Sequence, residues 1–505
     1  MLYFLWMVVV VSSKFKIRLF EIISIVFLCV GVTIKSFQND TFYIIKVGEY
    51  IVKHGIDLKD HWCWITKLSY TYPHWLYDVI VYFIYSNFGN LGVYVSTIIF
   101  FIILILTIYV IHLKLHKNEF LALFVSLLSI PCLYGFATAR AQLLTIILFL
   151  LEVYFIEKLI MTGMKRYIIF LTLVSLLVAN LHATIWVFYF ILYLPFLCEH
   201  LFYYLRQSRF FQKFYPLKRD SKVLIEKILH IKELCISFML GASMGMLTPS
   251  KICYTYIFRI MMGNSQKFII EHSPLIVIQH PCFIVFILTV LLILIFTKTR
   301  IKLRELFMIC GLILMSLVSG RHIIFFYSIG VLYLSILVCR YLYDSGDKTL
   351  DVLIYFIEKN RIVYLFLIII VMLVSYFQFQ KSFAYDYVPK KDYPVDAVSF
   401  MHNNLNIDEL KLYNDYGVGS YLMFQDIPVF IDSRCDLYLS EFNGLDYSIF
   451  DDVMEIAYNY EKKFDFYGVT HALVSKSSLF YKILLKDENY NIIYKDKNFV
   501  LFERV

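Results

Sequence analysis

Apolar runs alternate with short charged segments along residues 1–377 of the chain. Many of these runs approach the roughly 17–25 residues that carry a helix across a bilayer. The pattern therefore predicts a polytopic α-helical membrane protein with about eleven transmembrane helices. The predicted spans are 18–36, 91–113, 119–137, 141–159, a fifth ending at Asn180, 184–204, 233–249, an eighth ending at Lys298, a ninth ending at Gly320, a tenth ending at Arg340, and 362–377.

The charges between these runs predict the orientation of the spans, because short cytoplasmic loops carry an excess of Lys and Arg. Lys14, Lys16 and Arg18 surround the start of the first span, and the loop 206–232 holds eight basic and two acidic residues. Both segments lie inside the cell when the N-terminus is cytoplasmic. We therefore expect a multi-pass protein of the plasma membrane. Residues 1–12 are apolar but too short to span it.

The first outer loop, about 37–90, is too polar to continue the first span and includes an apolar stretch at 75–88. At about 1.5 Å per residue, a helix of about 14 residues cannot cross about 30 Å of hydrocarbon. Counting 75–88 as a span would also move 206–232 to the outside. We therefore expect 75–88 to be an interfacial helix, where residues such as Trp75 are enriched.

Residues 378–505 differ in charge from residues 1–377. They hold 20 acidic and 13 basic residues, against 19 acidic and 34 basic residues in the longer part. This contrast predicts a transmembrane domain, 1–377, followed by an extracytoplasmic soluble α/β domain, 378–505. The expected elements of the second domain are strands at 410–413, 429–431 and 472–474, a helix at 454–464, and a hairpin of 490–494 and 499–502.

The overall composition excludes several classes of protein. The chain is 60% hydrophobic and 17% charged, whereas soluble domains are about 45–50% apolar and about 25% charged. Cytoplasmic loops explain the basic excess of 1–377, so no nucleic-acid partner is expected. The ten cysteines are scattered without a CxxC spacing, which predicts neither a zinc site nor a disulfide framework.

Ionisable residues from separate spans meet the same predicted outer surface. They are Asp40, Arg140, His182, Glu271 and Arg321. Charged groups at membrane depth are costly and usually face a cavity or a partner, so we expect one outward-facing cavity. Arginines there suit a phosphate, which the guanidinium binds with two parallel hydrogen bonds. A carboxylate beside them suits a general base, and Asp40 is the leading catalytic candidate. The further candidates in the first outer loop are Glu49, Asp57, Asp60, His61 and His74.

Structural roles are the alternatives for each of these residues. Asp40 precedes an apolar helical pattern and is a good N-cap. Arg140 and Arg321 suit an interface where long side chains extend to water. His182 suits a hydrogen-bonded structural position, and Glu271 a solvated loop. In the C-terminal part, Asp432 and Arg434 are expected to form a local ion pair rather than to contact a substrate.

The order of several short motifs resembles the GT-C superfamily of integral-membrane glycosyltransferases. An acid follows the first span, a long first outer loop with interfacial helices comes next, and an outer domain ends the chain. The matching segments are Asn39-Asp40-Thr41-Phe42, Tyr72-Pro73-His74-Trp75-Leu76, Arg140-Ala141-Gln142, Asn180-Leu181-His182, Glu271-His272-Ser273-Pro274, Gly320-Arg321-His322, Asn414-Asp415-Tyr416-Gly417 and Phe430-Ile431-Asp432-Ser433-Arg434.

The resemblance implies an inverting transfer of a sugar from a polyprenyl-phosphate carrier to a cell-envelope glycan, lipid or protein acceptor. Asp40 would be the base or would bind the acceptor with a metal ion, and Arg140, Arg321 and His182 would hold the donor phosphate. A divalent metal ion is left open. No second acid follows Asp40 directly, and Asn414-Asp415-Tyr416-Gly417 lacks the tryptophans of the oligosaccharyltransferase motif. A flippase of lipid-linked glycans and a non-catalytic scaffold of the same fold are the alternatives.

Overall fold

The computed structural model describes residues 14–116, 119–208, 222–249, 251, 253–254, 273–344 and 361–505, and these residues are mostly helical. A helix occupies each of the eleven segments predicted as spans, and one more lies in the segment 37–90, which is predicted to be the first outer loop and keeps that name below. In chain order these are α1 (Lys14–Val32), α2 (Asn39–His54), α3 (Trp75–His116), α4 (Glu119–Leu133), α5 (Gln142–Thr162), α6 (Arg166–Leu181), α7 (Val187–Gln207), α8 (Ile231–Met244), α9 (Pro281–Phe296), α10 (Leu303–Val318), α11 (Val331–Asp344) and α12 (Arg361–Phe383).

Length and apolar composition separate these helices into two groups. Among the described residues, four helical stretches are long and apolar enough to cross a membrane. They are Trp75–Leu115, Glu119–Phe136, Ala183–Gln207 and Gly320–Tyr343. The helices α6 and α9 are apolar but shorter. The chain therefore contains membrane-spanning helices, while the number of eleven and their orientation stay predictions.

Small residues bring the helices of this part close together, as is common between helices in a membrane. A Cβ added at Gly31 in α1 would lie 2.5 Å from the carbonyl oxygen of Ser375 in α12. The Ser175 hydroxyl in α6 donates to the carbonyl of Gly241 in α8 across 2.8 Å. A short parallel pair of strands, β1 (Val223–Leu224) and β2 (Ile301–Lys302), joins the loops at the end of the bundle near Arg304.

The first outer loop contains two helical segments that pack against each other. The helix α3 is broken at Gly89, whose φ of 59° and ψ of −155° are not helical, so 75–88 is a separate segment of it. A Cβ at Gly48 of α2 would lie 2.1 Å from the carbonyl oxygen of Asp78 in this segment. The helix α2 starts after Gln38, whose side chain makes no capping bond. The N-cap role considered for Asp40 is therefore wrong, because Asp40 lies inside the first turn.

The C-terminal part has a four-stranded sheet with helices around it. The sheet order is β3-β4-β6-β5, with β3 and β4 parallel and the other two pairs antiparallel. The predicted terminal hairpin is present as β5 and β6. In chain order the elements are α13 (Val395–Asn404), β3 (Leu412–Asn414), α14 (Gly419–Phe424), α15 (Ile449–Met454), α16 (Ile456–Tyr467), β4 (His471–Ser475), α17 (Leu479–Leu484), β5 (Tyr490–Lys495) and β6 (Phe499–Arg504).

The segment 429–431 does not join this sheet, so its assignment as a sheet strand is wrong. Val429 instead bonds to the first outer loop. Its N–H donates to the carbonyl of Trp62 at 2.9 Å, and its carbonyl accepts from the N–H of Trp64 at 3.2 Å. The Trp64 indole N–H also donates to the carbonyl of Leu412, at the start of β3. The first outer loop and the C-terminal part are therefore bonded to each other.

Candidate active site

An ion pair between Asp40 and Arg140 connects the first outer loop with the turn before α5. The Nη2 of Arg140 lies 2.5 Å from Oδ2 of Asp40, and the two side chains are 24% and 20% exposed. Asp40 is placed by the first turn of α2. Arg140 is placed by a tight turn in which its N–H donates to the carbonyl of Thr138 at 2.8 Å. Both groups are half-buried and reach solvent, as groups that meet a ligand must.

Two histidines predicted from distant parts of the sequence contact each other beside this pair. The ring centroids of His74 and His182 lie 4.7 Å apart in an edge-to-face arrangement. The segment that carries His74 is fixed on the turn after α6. There the N–H of Ala183 donates to the carbonyl of Pro73 at 3.0 Å, and the Trp75 indole donates to the Asn180 side chain at 2.9 Å. The motifs around His74 and His182 therefore form one unit.

The second arginine-bearing segment of the site lies near the same histidines. Arg321 lies in the short 3-10 turn Gly320–His322, which is held by a bond from the Gly320 N–H to the carbonyl of Ser273. Burial, and then the charge of Arg321, lower the pKa of His74 to about 4, with a further contribution from Arg140. Burial, His74 and both arginines lower the pKa of His182 well below its ordinary value. Both imidazoles are therefore neutral near pH 7.

Residue His182 has a further partner that fixes its ring. Its Nδ1 lies 3.3 Å from the hydroxyl of Thr145 in α5, and that hydroxyl donates to the carbonyl of Ala141 at 2.7 Å. The structural role considered for His182 is thus present, because the ring is hydrogen-bonded and only 2% exposed. It does not exclude a contact with a ligand through the other ring nitrogen.

The C-terminal part completes the surroundings of Asp40. The Asn39 amide donates to the carbonyl of Tyr416 at 3.2 Å. Burial raises the pKa of Tyr416 well above its ordinary value, and the charges of Cys435 and Asp40 add to this. Tyr416 was not among the predicted site residues, although it belongs to the quoted motif Asn414-Asp415-Tyr416-Gly417. This motif was the feature of the sequence from which Tyr416 could have been predicted as a site residue.

The remaining candidates of the first outer loop bind other groups. Glu49 pairs with Lys46 and Lys53 at 3.0 and 2.6 Å. Although burial opposes it, hydrogen bonds from the Lys59 N–H, His61, Tyr50 and Tyr72 lower the pKa of Asp57 to about 2. His61 in turn bonds to Asp57 at 2.7 Å and stacks on Tyr50.

Two further candidates also remain outside this group. Asp60 pairs with Arg434 at 2.7 Å and is completely buried there. Glu271 lies outside the described residues. The structure thus gathers Asp40, Arg140, His74, His182 and Arg321 and leaves Glu49, Asp57, Asp60 and His61 in other contacts.

In the part of the chain that the structure describes, no three His, Cys, Asp or Glu side chains converge where they could hold one ion. The acid of this site is paired with a guanidinium rather than with a second acid. We therefore assign no described residue as a metal ligand and base no step on a metal.

Comparison with known structures identifies the class of fold. The chain is similar to the apo oligosaccharyltransferase of Archaeoglobus fulgidus, with a TM-score of 0.62 and 10% identity over 92% of this chain and 70% of that one. The archaeal oligosaccharyltransferase AglB from Archaeoglobus fulgidus, solved with an inhibitory peptide and a dolichol-phosphate, gives a TM-score of 0.60 at 10% identity over the same shares.

A shorter structure matches over its whole length. ArnT from Cupriavidus metallidurans, solved bound to undecaprenyl phosphate, has a TM-score of 0.56 and 10% identity, and the match covers 98% of this chain and 99% of that one. No family model matches the chain, and no curated protein matches its sequence. The expected resemblance is confirmed at the level of fold: the chain is a membrane protein with the fold of the GT-C glycosyltransferases.

Proposed function

We propose that the chain is a membrane glycosyltransferase that moves a sugar from a polyprenyl-phosphate carrier to an acceptor on the outer face of the membrane. The acceptor hydroxyl oxygen attacks the anomeric carbon and forms the new glycosidic bond. The bond between that carbon and the phosphate oxygen breaks, with inversion. The hydroxyl proton passes to Asp40, and the polyprenyl phosphate leaves as an anion.

The observation that carries this proposal is the Asp40–Arg140 pair, with the Nη2 of Arg140 2.5 Å from Oδ2 of Asp40. A guanidinium has five N–H donors, so Arg140 can bind Asp40 and a phosphate oxygen at the same time. The second oxygen of Asp40 then meets the acceptor hydroxyl. In this proposal Asp40 activates the acceptor hydroxyl, while Arg140 binds the leaving phosphate.

The surrounding charges favour an anionic leaving group. The charges of Arg140 and Arg321 both lower the pKa values of the two neutral histidines. The carboxylate that the site contributes is that of Asp40. Fixed cations that face the oxygen where negative charge develops stabilise the transition state more than the bound donor. The dolichol-phosphate and undecaprenyl phosphate in the similar structures support a lipid phosphate as the group that these cations bind.

A comparison of cell-envelope glycans tests the proposal. We expect mass spectrometry to show the loss of one glycan, or of one sugar on it, in cells that carry Asp40→Asn at a matched protein level. The matched control is Glu49→Gln, because Glu49 lies in the same helix and pairs with two lysines. An unchanged profile with Asp40→Asn, together with an altered profile in the null strain, contradicts catalysis by Asp40. That result favours a flippase or a scaffold.

A further inference from the structure

Arg434 forms a buried junction between the first outer loop and the C-terminal part. Its Nε and Nη2 donate to the two oxygens of Asp432 at 2.9 and 2.6 Å, and its Nη1 lies 2.7 Å from Oδ1 of Asp60. The three side chains are between 0% and 3% exposed. A guanidinium bound by two carboxylates from distant segments fixes both segments, since its planar donors allow few orientations.

Two aromatic rings also contact the same guanidinium. Its central carbon lies 4.9 Å from the ring centroid of Trp62 and 4.8 Å from that of Tyr70, both in the first outer loop. The Tyr438 hydroxyl donates to Asp432 at 2.6 Å from the C-terminal side. We name the set Asp60, Trp62, Tyr70, Asp432, Arg434 and Tyr438 the Arg434 junction.

A chain of hydrogen bonds leads from this junction to Asp40. The carbonyl of Ser433, next to Arg434, accepts from the Tyr416 hydroxyl at 3.3 Å, and the Ser433 N–H donates to the Ser420 hydroxyl at 3.1 Å. The carbonyl of Tyr416 then accepts from Asn39, the residue before Asp40, at 3.2 Å. Tyr416 is therefore bonded through its hydroxyl to the backbone of Ser433, next to Arg434, and through its carbonyl to the start of α2.

We infer that Arg434 is a positioning residue of the proposed transferase, which holds Tyr416 and the start of α2 in the arrangement that aims Asp40 at the acceptor. The inference rests on the proposed function for its catalytic consequence, but not for its geometry. The inference also gives Asp60, which was a candidate second acid, a structural role instead of a catalytic one. Asp60 anchors Arg434 and takes no proton from the acceptor.

The chain offers a matched control for removing a buried arginine. Arg304 is 7% exposed and pairs with Glu199 at 2.6 Å and Glu157 at 3.5 Å, in a part of the bundle that bonds neither to α2 nor to Tyr416 in the contacts described above. Both Arg304→Gln and Arg434→Gln leave buried carboxylates without their cation. The two changes should therefore loosen the protein to a similar degree, while only Arg434→Gln should affect Asp40.

Cysteine crosslinking tests the geometry without any substrate. Gln38→Cys and Gly417→Cys are introduced together, because these positions flank Asn39 and Tyr416 and leave the hydrogen bonds of both residues in place. The full-length protein also carries Cys63→Ala and Cys435→Ala, which remove nearby thiols. We expect Arg434→Gln to slow crosslinking by a short thiol-specific reagent at least tenfold and Arg304→Gln to leave it unchanged. Equal rates in all three proteins, or equal slowing by both substitutions, overturn the inference.

A milder variant covers a failure of Arg434→Gln to fold. Asp60→Asn keeps the size of the side chain and removes only its charge, and we expect it to slow the same crosslinking severalfold. An unchanged rate for Asp60→Asn also overturns the inference. The crosslinking result is independent of activity, so a wild-type protein that transfers no sugar contradicts the proposed function and leaves this test decisive for the geometry.

Activity supplies the readout that a purely structural role would not change. A displacement of about 1 Å in a reacting group can cost about 100-fold in rate, so we expect Arg434→Gln to lower kcat about 100-fold per folded protein. The affinity for undecaprenyl phosphate should stay within threefold, because Arg140 and Arg321 are retained. An equal loss of kcat with Arg304→Gln overturns the positioning role.

Discussion

The first outer loop forms two pairs between a carboxylate and an arginine, and they differ in what surrounds them. Asp60 and Arg434 are 0% and 3% exposed, and Asp432 and two aromatic rings occupy the rest of the guanidinium. Asp40 and Arg140 are 20% and 24% exposed. A pair that is completely enclosed by protein groups stabilises structure. A half-buried pair that reaches solvent retains the capacity to bind a ligand.

The largest expected effect breaks the half-buried pair. Asp40→Asn should lower sugar transfer by about 10²- to 10⁴-fold, the range for loss of a general base. The measurement is turnover by purified protein in lipid nanodiscs. Glu49→Gln serves as the control and should keep full turnover. Turnover of Asp40→Asn within threefold of wild type would remove Asp40 from the mechanism.

The second prediction compares the two arginines by stability. Arg434→Gln should lower the free energy of unfolding by about 3–5 kcal/mol, because it leaves two buried carboxylates without their cation. Arg140→Gln should cost no more than about 1 kcal/mol, since water reaches that pair. Denaturant titration in detergent measures both. An equal loss of unfolding free energy in the two variants would contradict the prediction that the buried pair contributes more to stability than the half-buried pair.

A pair of glycines sharpens the comparison without changing any charge. A Cβ at Gly419 would lie 1.9 Å from the carbonyl oxygen of Ile431, next to Asp432, whereas a Cβ at Gly417 meets nothing within 4 Å. Gly419→Ala should therefore cost about 3 kcal/mol of stability, at the upper end for forced overpacking. Gly417→Ala should change it by less than about 0.5 kcal/mol. Thermal unfolding of the two variants distinguishes them, and similar melting temperatures would contradict the close contact.

A fourth prediction uses the neutral histidines near the site arginines. The folded-state pKa of His74, about 4, lies below the ordinary value of 6.5, so folding excludes a proton from this ring. Its contribution to stability is present above pH 6.5 and is lost as the pH falls toward 4. Between pH 7.5 and 5 this loss amounts to about 2 kcal/mol for one such group.

His74→Gln should reduce the acid-induced loss of stability by that amount, measured by denaturant titration at both pH values. His402→Gln is the control, because His402 is exposed and bonds only to the carbonyl of Gln425 in the contacts described. An identical pH dependence in wild type and His74→Gln would show that burial and the two arginines do not hold His74 neutral.

Local patterns predicted much of this molecule. The hairpin of β5 and β6 follows from two alternating runs around a short turn, and a helix occupies every predicted span because apolar runs of that length have few alternatives. The Asp432–Arg434 ion pair was also expected, and it forms within a local turn in which the Arg434 N–H donates to Oδ1 of Asp432 at 2.9 Å.

Contacts between distant segments could not be predicted in the same way. The sequence of 429–431 predicts a strand, yet its backbone hydrogen bonds go to 62–64, far away along the chain. The periodicity of a segment carries no information about which other segment it pairs with. For the same reason the sequence presents Asp60 as a candidate acid, because it does not reveal the ion pair with Arg434. Asp40 differs from Asp60, because its position in the sequence fits a helix cap, whereas the structure pairs it with Arg140 in the candidate active site.

The most direct test of the proposed active site is to measure the binding of undecaprenyl phosphate to the purified protein by native mass spectrometry. We expect the double variant Arg140→Gln/Arg321→Gln to bind this lipid at least tenfold more weakly than wild type. Arg18→Gln removes an exposed arginine that pairs with Glu119 outside the site, and it should bind the lipid like wild type. Equal binding by all three proteins would contradict the assignment of these arginines to a lipid phosphate and with it the proposed active site.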